Sequence, residues 1–295
     1  MSESVEIPAA KPIEAVKNVF CDAARGRLWL IPSPLTDVKQ ELLIRPEQVL
    51  TADDIERVRS MRYFVVENGK RARAWLKVLG LSPSQLHIHV LSEVSERLKT
   101  SSNADPSELK IAIRQYLEPL WQGHDVGFLS DAGCPCVADP GAEWVRVAHE
   151  SGLEVCPMIG PSSLLMALMA SGLNGQCFGF FGYVPSTDPD RRTRLLALEQ
   201  LSKQWQQSIQ VIETPYRNSA LFEALINTLR PDTRLSIAFD LTGEHEWIRT
   251  HRVAQWRDFW KSESRSAQIE QNQKTPLQVL KTFKRPMICS FLAPA

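Results

Sequence analysis

The chain has 295 residues with 34 basic and 34 acidic side chains, so its formal net charge is zero. Hydrophobic residues make up 43% of it and charged residues 23%, which is ordinary for a globular chain. This length suffices for one large domain or for two smaller ones. Neutrality excludes a protein that is polybasic overall, although it leaves room for a local basic patch that binds nucleic acid.

No apolar run approaches the roughly 20 residues that a membrane-spanning helix needs. Residues 1–25 lack the basic start and the apolar core of a signal peptide, so we expect a cytoplasmic protein with no membrane partner. The six cysteines are scattered, which indicates reduced thiols. Cys134 and Cys136 bracket a proline, but no second cysteine pair or histidine pair is suitably spaced, and we expect no metal site.

In the first half of the chain, short apolar runs alternate with amphipathic stretches, which predicts a parallel sheet of the α/β class. The predicted strands are Leu28–Pro32, Tyr63–Val66, His87–Leu91, Val126–Ser130 and Leu153–Pro157. The predicted helices are Asp53–Arg59, Ala72–Leu79, Ser107–Trp121 and Ala142–His149. Asp53, with Glu56 three residues later, is expected to cap the first helix.

A second series of elements follows a helix predicted from Ser162 to about Ala170. Its strands are Gln176–Tyr183, Ser208–Glu213, Thr233–Phe239, Glu246–Val253 and Pro286–Leu292, and its helices are Arg191–Leu201, Ser219–Leu229 and Ala254–Trp260. Short connections between the late strands favour antiparallel pairing. We therefore predict two α/β domains, residues 26–158 and 159–295, with residues 1–25 as an N-terminal extension and 261–278 as a solvated loop.

Glycine is scarce and unevenly placed. Ten of the 14 glycines lie between positions 123 and 182. Because glycine lets the backbone turn sharply or approach a ligand closely, we expect the functional site in this stretch.

Two polar turns follow successive predicted strands in the glycine-rich stretch. The first is Ser130–Pro135, where ligands of open parallel sheets bind and where Asp131 would accept hydrogen bonds from a ribose or an ammonium group. The alternative is a helix cap beside a structural glycine. The second is Gly160–Ser163, in which Ser162 or Ser163 is expected to cap the next helix. Two such turns would flank one crevice.

The two turns belong to a set of motifs that resembles the tetrapyrrole methylase superfamily, the class III S-adenosylmethionine (SAM) methyltransferases. The matching segments are Ser130–Pro135, Ala138–Gly141, Gly160–Ser163, Phe181–Pro185, Glu213–Arg217, Leu241–Glu246 and Lys284–Ile288. Within the superfamily the chain is similar to the ribosomal small-subunit RNA methyltransferase I group, which methylates a cytidine 2′-hydroxyl, and to short relatives of that group. The resemblance extends from about Gly26 to Leu292.

The resemblance implies two α/β domains with SAM held in the cleft between them. The SAM contacts that it implies are Pro32, Asp131, Ala132, Ser162, Ser163, Glu213, Leu241 and Met287, with Ser33 and Ser130 added from the same turns. A ribose acceptor would also need to lose a proton, and Glu67, His245 and Glu246 are the candidate bases. The alternative for each of these three is a surface or capping role. Members of the superfamily commonly pair, so a homodimer is expected.

The chain departs from the RNA-methylating group on the expected acceptor side. Thr36 stands where that group has glycine, and the group's His-Asn is replaced around Ser92–Ser95. Its Glu-Asp-x-Arg becomes Glu67–Lys70, which removes a carboxylate and exchanges a forked guanidinium for a point charge. We also expect no counterpart of the group's extra C-terminal helical domain.

Three functions therefore stay open at this point. The first is a SAM-dependent methyltransferase acting on a ribose of ribosomal RNA, and the second is a methylase of a tetrapyrrole or another small acceptor, which the zero net charge favours. The third is a non-enzymatic SAM-binding protein, which the altered acceptor motifs favour. Candidate RNA ligands are Lys70, Arg71, Arg73, Arg191, Arg192 and Arg194, with Trp75, Trp144, Trp205 and Trp247 for stacking. Solvated charged faces and core packing are the alternatives.

Overall fold

A computed structural model describes residues 25–35, 44–92, 106–266 and 284–295. The N-terminal extension up to residue 24, Thr36, the replaced segment after Ser92 and the predicted loop over 267–278 lie outside these described residues. Within them, none of the helices combines the length and the apolarity that a bilayer span requires.

The first sheet has five parallel strands and corresponds to the first predicted series. Its strands are β1 (Leu28–Ile31), β2 (Tyr63–Val66), β3 (His87–Val90), β4 (Val126–Leu129) and β5 (Val155–Pro157), in the order β3-β2-β4-β1-β5. Central strands of such a sheet are buried on both faces, which explains their continuous apolar runs.

Helices cover both faces of the first sheet. One layer is α1 (Ala52–Ser60) and α2 (Gly69–Val78), and the other is α3 (Pro106–Tyr116), α4 (Glu118–Trp121) and α5 (Ala142–Glu150). Alternate residues of each strand point to opposite layers, so that in β2 Phe64 and Val66 pack against α1 and α2 while Val65 packs on the other side.

The second sheet is mixed. Its strands are β6 (Phe178–Tyr183), β7 (Ser208–Glu213), β8 (Arg234–Phe239), β9 (Trp247–Arg252) and β10 (Met287–Leu292), in the order β6-β7-β10-β8-β9. Among the described strands, β6 and β7 pair in parallel and the remaining pairs are antiparallel. The short connection between β8 and β9 agrees with the predicted antiparallel pairing, whereas β10 pairs with β7 and β8 across long connections. The boundary between two domains at residue 158 stays a prediction.

Among the described residues, one face of the second sheet carries helix α6 (Ser163–Ser171), and the other carries α7 (Asp190–Trp205), α8 (Asn218–Thr228) and α9 (Val253–Ser266). Polar side chains of the sheet tie down both ends of α6. The Gln210 amide donates to the Leu164 carbonyl at 3.0 Å, and the Thr250 hydroxyl donates to the Ser171 carbonyl at 2.7 Å. These bonds set the position of the α6 N-terminus.

Three local predictions are wrong. The helix predicted over Ser107–Trp121 is divided after Tyr116, because Pro119 has no amide hydrogen and its ring clashes with the preceding turn of a continuous helix. Thr51 caps α1 in place of Asp53, since its hydroxyl accepts from the Asp54 amide at 3.2 Å. The loop predicted from residue 261 begins as the last part of α9.

Candidate functional site

A cavity of about 290 Å³ lies between the carboxyl ends of the two sheets. The first sheet contributes the turns that follow β1, β4 and β5, and the second contributes the ends of β6, β7 and β8. The start of β10 joins them because β10 runs antiparallel to both of its neighbours. The lining includes both apolar and acidic side chains, among them Asp131, Ala132, Asp139, Ser162, Ser163, Tyr183, Glu213, Asp240, Leu241 and Met287.

The turn after β4 is tied to the turn after β1. Ser33 and Gly133 exchange two backbone hydrogen bonds, each 2.9 Å long, and the Ser33 hydroxyl donates to the Ser130 carbonyl at 2.8 Å. Gly133 has a φ of +70°, a backbone conformation that favours glycine. Ser33 and Ser130 are both buried, and they hold this turn in place without lining the cavity.

The turn after β5 closes the same side of the cavity. The hydroxyl of Ser162 caps α6 by accepting from the Leu165 amide at 3.5 Å, as the sequence predicts for this position. The thiol of Cys134 donates to the Pro161 carbonyl at 3.4 Å and joins the two turns. Pro32 packs against Gly160 and lines a neighbouring apolar cavity.

Two buried carboxylates line the cavity from the second sheet. The Glu213 carboxylate accepts from the Thr214 amide at 2.8 Å and pairs with the Arg217 guanidinium at 2.6 Å. The Asp240 carboxylate accepts from the His245 amide at 3.0 Å. These hydrogen bonds fix the positions of both carboxylates in the cavity wall. Asp240 was missed at the sequence level, although it immediately precedes the Leu241–Glu246 motif.

The three candidate bases do not line the cavity. Glu67 lies behind it, where its carboxylate accepts from the Asp131 amide at 3.0 Å and burial raises its pKa. Glu246 accepts from the Thr242 amide within its own turn, and the His245 amide binds Asp240. In this geometry Glu67 orients the Asp131 turn, and Glu246 and His245 stabilise the turn between β8 and β9.

Asp139 is a carboxylate that lines the cavity together with Asp131, and no local sequence pattern predicts this role for it. Burial raises the pKa of Asp139 to about 7, and the negative charges of Glu67 and Asp131 add to the effect. A hydrogen bond from Ser130 and the positive charge of Arg71 oppose it. Burial also raises the pKa of Asp131. A carboxyl group that titrates near neutrality inside a cavity is suited to proton transfer.

Known proteins were compared with the chain as a whole, and no family model matches it. A ribosomal RNA small subunit methyltransferase I from Mesorhizobium japonicum is 29% identical over 253 residues, which are 85% of this chain and 71% of that protein. The protein of the same name from Escherichia coli O157:H7 is 27% identical over 77% of this chain and 69% of its own length. The one from Pseudomonas aeruginosa is 31% identical, but only 52% of its length is matched.

Among solved structures, the methyltransferase CobJ has the same fold. Its TM-score is 0.51 at 14% identity, and the match covers 91% of this chain and all of that one. The sequence relatives and the shared fold both support the resemblance to the tetrapyrrole methylase superfamily. The chain is a methyltransferase, and the two-sheet α/β architecture predicted from the resemblance is confirmed.

For this methylase, the cavity collects seven of the ten residues that the resemblance implies as SAM contacts. They are Asp131, Ala132, Ser162, Ser163, Glu213, Leu241 and Met287. Pro32, Ser33 and Ser130 are the three that lie in the turns just behind the lining. Within the described residues no cluster of three His, Cys, Asp or Glu side chains could hold a metal ion, and the five cysteines there are free thiols.

The structure shows what Asn68 and Arg71 do in the segment where the chain departs from the RNA-methylating group. The Asn68 amide oxygen caps α2 by accepting from the backbone amides of Lys70 and Arg71, at 2.9 and 3.3 Å, which an aspartate would do equally well. Arg71 is the cation whose charge acts on Glu67, Asp131 and Asp139. The structure therefore places a guanidinium charge near these three carboxylates from position 71, next to Lys70.

Most of the tryptophans considered for base stacking belong to the core. Trp75, Trp144 and Trp247 are buried, whereas Trp205 is 62% exposed at the end of α7, away from the cavity. Of the basic residues, Arg191 pairs with Asp188 at 3.3 Å and Arg194 lies over the Phe181 ring. Lys70 and Arg73 are exposed on α2.

Proposed function

We propose that this methylase uses SAM to methylate a ribose 2′-hydroxyl of ribosomal RNA. The observation that carries the proposal is the cavity between the sheets, in which seven implied SAM contacts from distant parts of the chain converge. Relatives named for ribosomal RNA methylation supply the acceptor class. Such an acceptor corresponds to a cytoplasmic compartment, where ribosomal subunits assemble.

The chemistry of the lining fits SAM. The cavity volume of about 290 Å³ is close to the smallest volumes of small-molecule binding pockets, roughly 300 Å³. Leu241, Met287 and Ala132 offer apolar surface for an adenine ring, and Asp131 and Asp240 offer negative charge to a cationic cofactor. When bound, SAM would supply a methyl group whose sulfide leaving group lies in line with the acceptor oxygen.

We propose Asp139 as the group that takes the acceptor proton. With SAM held by the lining residues as methyl donor, the Asp139 carboxylate would accept the proton that the acceptor hydroxyl loses on methylation. Asp139 lines the cavity, whereas Glu67, His245 and Glu246 do not. Glu67 acts indirectly in this scheme, because it holds the Asp131 turn and its charge favours a protonated Asp139.

Calorimetry followed by methyl transfer tests the function. We expect SAM and its demethylated product each to bind at one site per chain. Tritium from labelled SAM is then expected in the RNA of small ribosomal subunits taken from a strain that lacks this protein, at a ribose position that resists alkali. Transfer to small molecules only would support the tetrapyrrole alternative, and SAM binding without transfer to any cell fraction would support a non-enzymatic protein.

We also propose that the chain forms a homodimer through an exposed apolar surface made of Ile159, Leu165 and Met169. These side chains are 73%, 51% and 83% exposed, and an apolar surface of this kind marks an interaction site. Light scattering is expected to give twice the chain mass of 33.3 kDa. Met169→Glu is expected to give the single mass, and Trp205→Ser, at an exposed site outside this surface, is the control. A monomeric wild type would contradict the proposal.

A further inference from the structure

Two tyrosines lie beside the cavity, one at the carboxyl end of β6 and one in the turn that follows β7. Tyr183 is the last residue of β6 and lines the cavity. Tyr216 lies in the turn Pro215–Arg217, directly after the cavity-lining residues at the end of β7. The parallel pairing of the two strands places Tyr183 opposite Ile212, so the carboxyl ends of β6 and β7 lie side by side. Both tyrosines therefore border the same edge of the opening.

Both tyrosine side chains are exposed to solvent. Tyr183 is 59% exposed and Tyr216 is 76% exposed. Lys284 lies over one face of the Tyr216 ring, and the rest of both rings faces solvent. Burying a tyrosine removes on the order of 150 Å² or more from water, so a ligand that covers these exposed faces gains binding free energy. Neither ring serves the core of the second sheet. Their exposure is what a surface for a planar ligand requires.

The charges around the opening favour a polyanion held from outside. The cavity wall carries Asp131, Asp139, Glu213 and Asp240, which repel phosphates from the interior. At the mouth, the ammonium of Lys284 lies 4.5 Å from the centre of the Tyr216 ring. Surfaces that bind single-stranded nucleic acid combine aromatic rings for the bases with cations for the backbone. This edge of the opening has that combination.

We propose that Tyr183 and Tyr216 form a stacking platform for unpaired nucleotides of the acceptor RNA, with Lys284 beside a backbone phosphate. The inference rests on the proposed function and adds how the acceptor is held. Bases paired within a duplex are already stacked and do not present their faces, so the platform selects an unpaired or extruded segment. The ribose to be methylated then reaches into the acidic cavity while its phosphates stay outside.

The test measures KM for small ribosomal subunits from the strain lacking this protein, together with SAM affinity by calorimetry. Tyr183→Ala and Tyr216→Ala are each expected to raise KM by about 5- to 100-fold, because one stacked base contributes that much to binding. SAM affinity is expected to stay within about two-fold, since the rings hold the acceptor. Tyr183→Phe and Tyr216→Phe keep the stacking face and are expected to restore KM to within about three-fold of wild type.

Trp205→Ala is the matched control, because Trp205 is a comparably exposed aromatic residue at the end of α7. It lies three residues before the amino end of β7, whereas the cavity is at the carboxyl end of β7. It is expected to leave KM unchanged. A double alanine variant with wild-type KM would overturn the platform, and so would a loss of SAM affinity in step with KM. If the wild type binds SAM but methylates no RNA, the proposed function fails first, so the two failures are distinguishable.

Discussion

Replacing Asp139 by asparagine is expected to lower kcat for methyl transfer by about 10²- to 10⁴-fold, the range in which a positioned proton acceptor contributes. Asparagine has nearly the same shape but no basic oxygen, so it leaves the acceptor hydroxyl protonated. SAM affinity is expected to stay within about two-fold, because the remaining carboxylates of the cavity wall are unchanged. Single-turnover transfer from labelled SAM measures the effect.

The same residue predicts the pH dependence. Burial, Glu67 and Asp131 raise the pKa of Asp139 to about 7, against the opposing effects of Ser130 and Arg71. Below pH 7 the carboxyl group holds its proton and cannot accept another, so kcat is expected to rise through neutrality and level off above it. Glu67→Gln removes one of the neighbouring negative charges, and the rising limb is expected to move to lower pH.

Asp232→Asn is the matched control for Asp139→Asn. Asp232 is an exposed carboxylate paired with Arg230, in the turn before β8 and away from the cavity. The same chemical change there is expected to leave kcat and its pH profile as in wild type. An Asp139→Asn enzyme with full activity, or one whose defect is a loss of SAM affinity, would contradict the assignment of the proton to Asp139.

Gly160→Ala is expected to lower both stability and SAM affinity. A Cβ atom at this position would lie 2.3 Å from Cβ and 2.4 Å from Cγ of Pro32, and 3.2 Å from the Val49 carbonyl oxygen. The proline ring cannot rotate away, so the turns after β1 and β5 must separate. Overpacking of this kind costs about 1–3 kcal/mol. The melting temperature is then expected to fall by roughly 2–12 °C.

Gly175→Ala is the control that separates the steric overlap with Pro32 from other effects of replacing glycine by alanine. A Cβ atom at Gly175 would meet no atom within 4 Å, and the backbone there does not adopt a positive φ. We expect its melting temperature and its SAM affinity to match wild type. If Gly160→Ala behaves like Gly175→Ala in thermal unfolding and calorimetry, the contact between Pro32 and Gly160 does not shape the cavity.

Local sequence patterns predict much of this fold for a physical reason. Two strands have the bounds predicted for them, Tyr63–Val66 and Ser208–Glu213. Runs of β-branched and apolar residues bounded by polar residues strongly favour a strand. The wrong predictions arise where two local signals compete. Asp53 lies in the first turn of α1, where acidic residues are also favourable, and Thr51 provides the cap.

The site was predictable where its residues stand in recognisable turns and unpredictable where their partners are distant. Asp131 and Ser162 follow strands, and their turns can be read from the chain. Glu67 acts through the Asp131 amide, which is 64 positions further along the chain. The pKa of Asp139 depends on its burial and on the charge of Glu67, which is 139 − 67 = 72 positions earlier in the chain. No local pattern shows that Glu67 lies behind the cavity while Asp139 lines it.

The class of fold, the order of the elements and the glycine-rich stretch with the first half of the site are readable from the amino-acid pattern. Those features follow from local propensity, from periodicity and from the few residues able to make tight turns. Contacts between distant segments bring the second sheet to the cavity, raise the pKa of Asp139 to about 7, and place Tyr183 and Tyr216 at one edge. Burial and the distances between charges exist only after the two sheets meet, and both set the chemistry of the site.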